Sequence, residues 1–239
     1  MKPETNAAEP EQPALKFVGP LWYTVVLIIV LDGLGILASL GEYTLRELGQ
    51  SPPVSPDPVS IYIILIVSEW LTVGWVWLGV RRQGLTVPDI LGGRLQKSKE
   101  IGINVLLGLG FWFFWLGVWN IEYRLFGSTG ASLPVPLPHG PTQVLLSIGL
   151  GLSAGICEEI VFRGYLQQQF QAMSGGATSA VMLQAIVFGV AHGDASVKVL
   201  GMHVLFGLLA GCIVRWRGSL WPAVTLHIWT DLAVFLLRF

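Results

Sequence analysis

Apolar residues along this chain fall in long unbroken runs, without the alternation of a barrel strand or the one-sided stripe of a water-facing helix. A hydrocarbon layer of about 30 Å takes about 20 predominantly apolar helical residues to cross. Windows of that size, bounded by charge or proline, recur seven or eight times. The first runs from Phe17 to Leu40 and the second from Ile61 to Val80, each with one acid, Asp32 and Glu69. The third, Ile101 to Asn120, is rich in Trp and Phe. The fourth starts at Pro141 and passes through a charged cluster toward Gln171, which is long for a simple span. The fifth covers Thr178 to His192, the sixth Ser196 to Val214 and the seventh Leu220 to Leu237. The fold class expected is all-α, a polytopic membrane bundle of about seven to eight transmembrane helices.

The connections differ in character. Residues 1–16 form a polar, proline-bearing tail, and no cleavable leader pattern stands out, so the first span reads as retained. Ser51 to Pro58 and Leu133 to His139 are stiff proline-rich loops without positive charge. Arg81, Arg82, Arg94, Lys97 and Lys99 lie between spans two and three, and Arg215 with Arg217 precedes span seven. The positive-inside rule puts both groups, and with seven spans the N-terminus, on the cytoplasmic side. The expected organisation is the tail, then N-terminal transmembrane helices and loops over 17–140, then helices 141–239, which carry the chemistry below. Gly151-x-x-x-Gly155 and Gly207-x-x-x-Gly211 read as close helix packing.

Composition narrows the class further. Of 239 residues 53% are hydrophobic and 12% charged, against roughly 25% charged in soluble domains. The charge is too scarce for a water-facing surface. Fourteen basic and fifteen acidic residues give a net charge of −1, which leaves no electrostatic footprint for nucleic acid. Membrane lipids are the expected surroundings, and a bacterial plasma membrane the expected location. Cys157 and Cys212 both lie in apolar stretches and read as fillers without a redox role.

Charge within the later spans is concentrated in three places. An ionised group at membrane depth costs about 2.5–3.5 kcal/mol on insertion scales, so each needs a partner. In Cys157-Glu158-Glu159-Ile160-Val161-Phe162-Arg163, the i, i+4 pair Glu159 and Arg163 can satisfy each other. Glu158 is rotated about 100° away and is left over, as befits a general base or proton carrier. His192 ends span five. Glu158 lies 17 residues before Gly175 of the Gly175-Gly176 turn and His192 16 after Gly176, so an antiparallel hairpin brings them to nearly one height. In span seven, His227 and Asp231 share a face at i, i+4. Asp32, Glu69, Asp194, Lys198 and His203 read as structural or interfacial, and His139 as a loop residue.

Glu158-Glu159-x-x-x-Arg163, Phe188-x-x-x-His192 and His227-x-x-x-Asp231, in this order on successive spans, resemble the CAAX protease and bacteriocin-processing (CPBP, or Abi) family of intramembrane endopeptidases. The resemblance covers residues 141 to 235. It implies a CAAX prenyl protease-like, type II endopeptidase that hydrolyses a peptide bond of a membrane-associated or lipidated (CAAX-type) peptide or protein with an activated water. Glu158 and His192 would hold and deprotonate that water. His227 and Asp231 would stabilise the oxyanion, with Glu159 and Arg163 supporting. Asp231 stands where Asn is usual, so it is either protonated or orients His227. No cofactor is the preferred reading. Zinc is the alternative, with Glu158, His192 and His227 as ligands and an open fourth position. Rival functions are a non-catalytic scaffold or bacteriocin-immunity protein of the same fold, and a proton-coupled transporter, which the absence of internal repeats disfavours.

Overall fold

Proline stands in the first turn of several helices and left-handed glycine follows the last turn of others, the asymmetry expected of helix ends. Pro58, Pro141 and Pro222 occupy the first turns of their helices, and Asp57 caps the first of these by accepting from the Ser60 N–H at 3.2 Å. Gly175 and Gly218, with φ of 69° and 61°, stop the others. The computed structural model describes residues 16–50, 57–91, 98–127, 135–193 and 196–237. Most of the polar tail, Arg94, Lys97, Asp194 and parts of both proline-rich loops lie outside the described residues.

Among the described residues there are eight helices: α1 (Leu21–Glu47), α2 (Pro58–Arg82), the short α3 (Val87–Ile90), α4 (Ser98–Phe126), α5 (Pro141–Ser174), α6 (Ala177–Ala191), α7 (Val197–Arg217) and α8, which runs through Trp221–Leu232 and Ala233–Leu237. Five of them, α1, α2, α4, α5 and α7, are long and apolar enough to cross a membrane. With the shorter apolar α6 and α8 they correspond to the seven expected spans. At 15 residues, α6 is about 22 Å long and falls short of a full crossing. The short α3 carries no apolar run and was not anticipated; Thr86 donates from its hydroxyl and its backbone N–H to Asp89, holding that carboxyl below its ordinary range. Helices also outrun the apolar windows, as where α1 continues past Leu40 to Glu47, because polar terminal turns extend beyond the hydrocarbon.

Two features of α5 bear on function. Its long fourth span is a single 34-residue helix, and between Glu159 and Leu166 it widens into a π-helix, with the Gln167 N–H reaching back five residues to the Phe162 carbonyl. Such widenings concentrate at functional sites. Most of the segment is buried: Glu159, Arg163 and Tyr165 are each at most 1% exposed.

Consecutive helices run up and down. At one end Gln169 of α5 accepts from the Val18 N–H (2.7 Å) and donates to Thr24, Gln168 donates to Ile90 of α3, and Arg217 of α7 donates to Asn104 of α4. Arg81 and Arg82 close α2 and Arg215 and Arg217 close α7 at this same end. At the other end Tyr62 donates to the Pro136 carbonyl, and Lys198 of α7 meets Glu122 of α4 at 2.6 Å. Residues 17–140 and 141–239 interleave in space, since α2 packs on α5 and α4 on α8. The outward faces of α1, α2 and α4 stay apolar, as at Ile29, Leu34, Leu71 and Leu106, which is the surface a lipid-facing bundle presents.

Both small-residue motifs sit at helix crossings. A Cβ on Gly155 would stand 2.5 Å from Ile228 Cγ1 and 2.9 Å from its backbone nitrogen, and one on Gly151 3.3 Å from Asp231 Cβ. These glycines seat α8 against α5. On α7, Gly207 lies against the backbone of Ala185, and Gly211 against Gln184 and Gln167.

Candidate active site

The α-to-π junction of α5 presents Glu158 and Glu159 to different partners. Glu159 Oε1 accepts from Arg163 Nη1 at 2.7 Å, both side chains being fully buried. The same oxygen meets His227 Nδ1 at 2.8 Å. A carboxylate already bonded to a guanidinium accepts, so Nδ1 is the nitrogen that donates. The guanidinium also lies 4.4 Å from the centre of the Phe188 ring, a cation–π contact that gives the Phe of Phe188-x-x-x-His192 a role in holding Arg163. The expected pairing of Glu159 with Arg163 is therefore present, and Glu159 has a further partner that spacing did not reveal.

Glu158 faces the other way. Its Oε2 stands 3.8 Å from His192 Nε2 and 3.7 Å from His227 Nε2. The hairpin argument placed Glu158 and His192 at one height, and they meet there. His192 directs Nδ1 at the Phe188 carbonyl one turn earlier, 2.7 Å away. A carbonyl can only accept, so Nδ1 carries the proton and Nε2 offers a lone pair toward Glu158. Asp231 Oδ2 is 3.9 Å from His227 Nε2, too far for a hydrogen bond. The hydrogen bond that holds His227 is the one it makes with Glu159.

These groups share a cavity of about 460 Å³ with apolar walls that include Trp115, Trp119, Leu150 and Phe206. Three residues read from sequence as structural or interfacial line it too: Glu69, Lys198 and His203. Glu69 arrives from α2 on the wall of the cavity that Glu158 also lines. Trp70, the next residue, donates to Ser153 of α5 at 3.2 Å and pins α2 at this level. The imidazole of His203 stacks on that of His192, centroids 4.1 Å apart and planes 23° apart. The signal for both residues was present in the chain: an ionisable side chain inside an apolar span needs a polar partner whichever span it occupies. Asp32 does not line the cavity, and Cys157 is a buried free thiol.

The zinc alternative can be tested against this geometry. Tetrahedral ligands at about 2.0–2.1 Å from zinc stand about 3.4 Å from one another, less than the 3.7 and 3.8 Å between Glu158 and the imidazoles. Among the described residues, no group of three or more His, Cys, Asp or Glu is placed to hold a metal ion.

An all-helical bundle with apolar outer faces and a buried carboxylate–imidazole centre defines the protein as an integral membrane protein with a polar site enclosed by its helices. Residues 140–233 match the Rce1-like family, described as type II CAAX prenyl endopeptidase Rce1-like. All three motifs fall within the match, which supports the CAAX protease and bacteriocin-processing family and, at the family level, a CAAX-type intramembrane protease. No curated protein and no solved structure matches the chain.

Proposed function

We propose that the protein hydrolyses a peptide bond of a membrane-associated, lipidated or strongly apolar peptide, using a water activated by Glu158 and no resident metal. The supporting observation is the meeting of Glu158 Oε2 with the Nε2 atoms of His192 and His227 at 3.8 and 3.7 Å, each ring fixed from behind at Nδ1. Such separations suit a water bridging carboxylate and imidazole at ordinary hydrogen-bond lengths. The water donates one proton toward Glu158 and the other to the His192 lone pair. Glu158 removes the first proton as the oxygen attacks the carbonyl carbon, and delivers it to the amine nitrogen as the carbon–nitrogen bond breaks. His227, carrying a second proton with Glu159 behind it, donates from Nε2 to the oxyanion, with Asp231 beside it balancing charge. The apolar cavity walls accept the side chains or lipid of the substrate. The protein would work in a bacterial plasma membrane with its arginine-rich end in the cytoplasm.

The test is cleavage of internally quenched peptides, farnesylated and unmodified, by the purified protein in nanodiscs. Glu158→Gln and His192→Ala should each lower kcat at least about 100-fold, the scale of a lost general base. Wild-type rates in both variants would refute the mechanism. Activity abolished by a chelator and restored by zinc would refute its metal-free form.

A further inference from the structure

His192 sits in a position that its own helix does not secure. It follows the last residue of α6, and the chain turns away at once through Gly193, whose φ is 66°. Within its own helix the ring has one hydrogen bond, Nδ1 to the Phe188 carbonyl, and a tilted contact with the Phe188 ring on one side. A single bond at one ring atom fixes a point and leaves a tilt about it. A tilt of about 30°, the width of a rotamer well, displaces Nε2 by about 1 Å, and a misplacement of that size costs on the order of 100-fold in rate.

Helix α7 supplies the missing constraint. A Cβ on Gly189 would stand 2.5 Å from Val204 Cγ2 and 3.3 Å from the Leu200 carbonyl oxygen, so α7 approaches α6 closely at this level. His203, next to Val204, is thereby laid over His192, with ring centroids 4.1 Å apart and planes 23° apart. Phe188 flanks the same imidazole at 4.4 Å and 47°. One turn deeper on α7, Phe206 stacks on Phe188 and meets His227 edge-on at 5.0 Å. The two imidazoles facing Glu158 are thus set in one continuous aromatic cluster.

We propose that His203 is a positioning residue for His192, its stacked ring holding the plane in which Nε2 points at Glu158. This rests on the hydrolytic reading above. A residue with this role acts through planarity, so a flat ring of another kind replaces it and a branched aliphatic of similar volume does not. Its loss lowers turnover and leaves substrate binding nearly unchanged, because the cavity wall is preserved.

The experiment compares His203→Phe with His203→Leu in nanodiscs, reading kcat and KM, melting temperature, and the ring ¹⁵N signals of His192 in histidine-labelled protein. His203→Phe should keep kcat within about threefold, and His203→Leu should lower it about tenfold to a hundredfold with KM within about threefold. The His192 ¹⁵N signals should show one tautomer, protonated at Nδ1, in wild type and the Phe variant, and a mixture in the Leu variant. An unchanged kcat in His203→Leu, an equal fall in both variants, or one set of His192 signals throughout would overturn the proposal. A wild-type protein without peptidase activity would refute the hydrolytic reading instead, and the ¹⁵N comparison would still decide whether His203 orients His192.

Discussion

Gly155→Ala tests how finely the crossing of α5 and α8 sets the candidate site. The new methyl would stand 2.5 Å from Ile228 Cγ1, which a side-chain rotation can relieve, and 2.9 Å from the Ile228 backbone nitrogen, which it cannot. Restoring an ordinary contact of about 3.4 Å moves α8 away by about 0.5 Å. His227 precedes Ile228 and moves with it, widening its 3.7 Å approach to Glu158. If about 1 Å of misplacement costs about 100-fold, this shift costs about tenfold in kcat. Stability should change little: alanine gains about 1 kcal/mol of helix propensity over glycine and overpacking removes about 1–3 kcal/mol. Gly149→Ala is the control on the same helix, since its methyl would meet Ile66 at an ordinary 3.6 Å. The assay is cleavage of the quenched peptide in nanodiscs beside thermal melting of each variant. Wild-type turnover in Gly155→Ala, or an equal loss in Gly149→Ala, would refute the link between this crossing and catalysis.

Two further outcomes follow from the same geometry. Removing one member of the buried Glu159–Arg163 pair strands the other, so Arg163→Met should lose about 3–5 kcal/mol of stability, read by thermal or denaturant unfolding in detergent; a loss below 1 kcal/mol would contradict the burial described. Glu69→Gln keeps a polar side chain on the cavity wall that Glu158 lines and should retain turnover within about threefold, whereas Glu69→Leu leaves that wall apolar and should lower kcat at least about tenfold; equal rates in the two variants would show that the polarity of this wall has no part in turnover.

Much of this architecture is legible in the amino-acid order because a bilayer imposes a simple rule. Backbone groups must pair within their own segment, so length and apolarity determine where helices run. The ordered motifs are legible too, because an i, i+4 pair such as Glu159 and Arg163 depends on helix periodicity alone, and the Glu158–His192 meeting depends on counting from one glycine turn. What spacing cannot express is rotation and crossing between helices that are distant in sequence. The second bond of Glu159 to His227 depends on how far α8 sinks onto Gly151 and Gly155, and the π-helix after Glu158 alters the angular register that a 3.6-residue count assumes.

The sequence by itself determined the class of solvent, the helical spans and the motif order, since each rests on local composition or on contacts within one hairpin. Tertiary structure alone decided that Glu69 lines the cavity with Glu158, that His203 stacks on His192, and that Glu159 bonds to His227. Each of these depends on how separate helices approach, with Gly151 and Gly155 letting α8 close on α5 and Gly189 letting α7 close on α6.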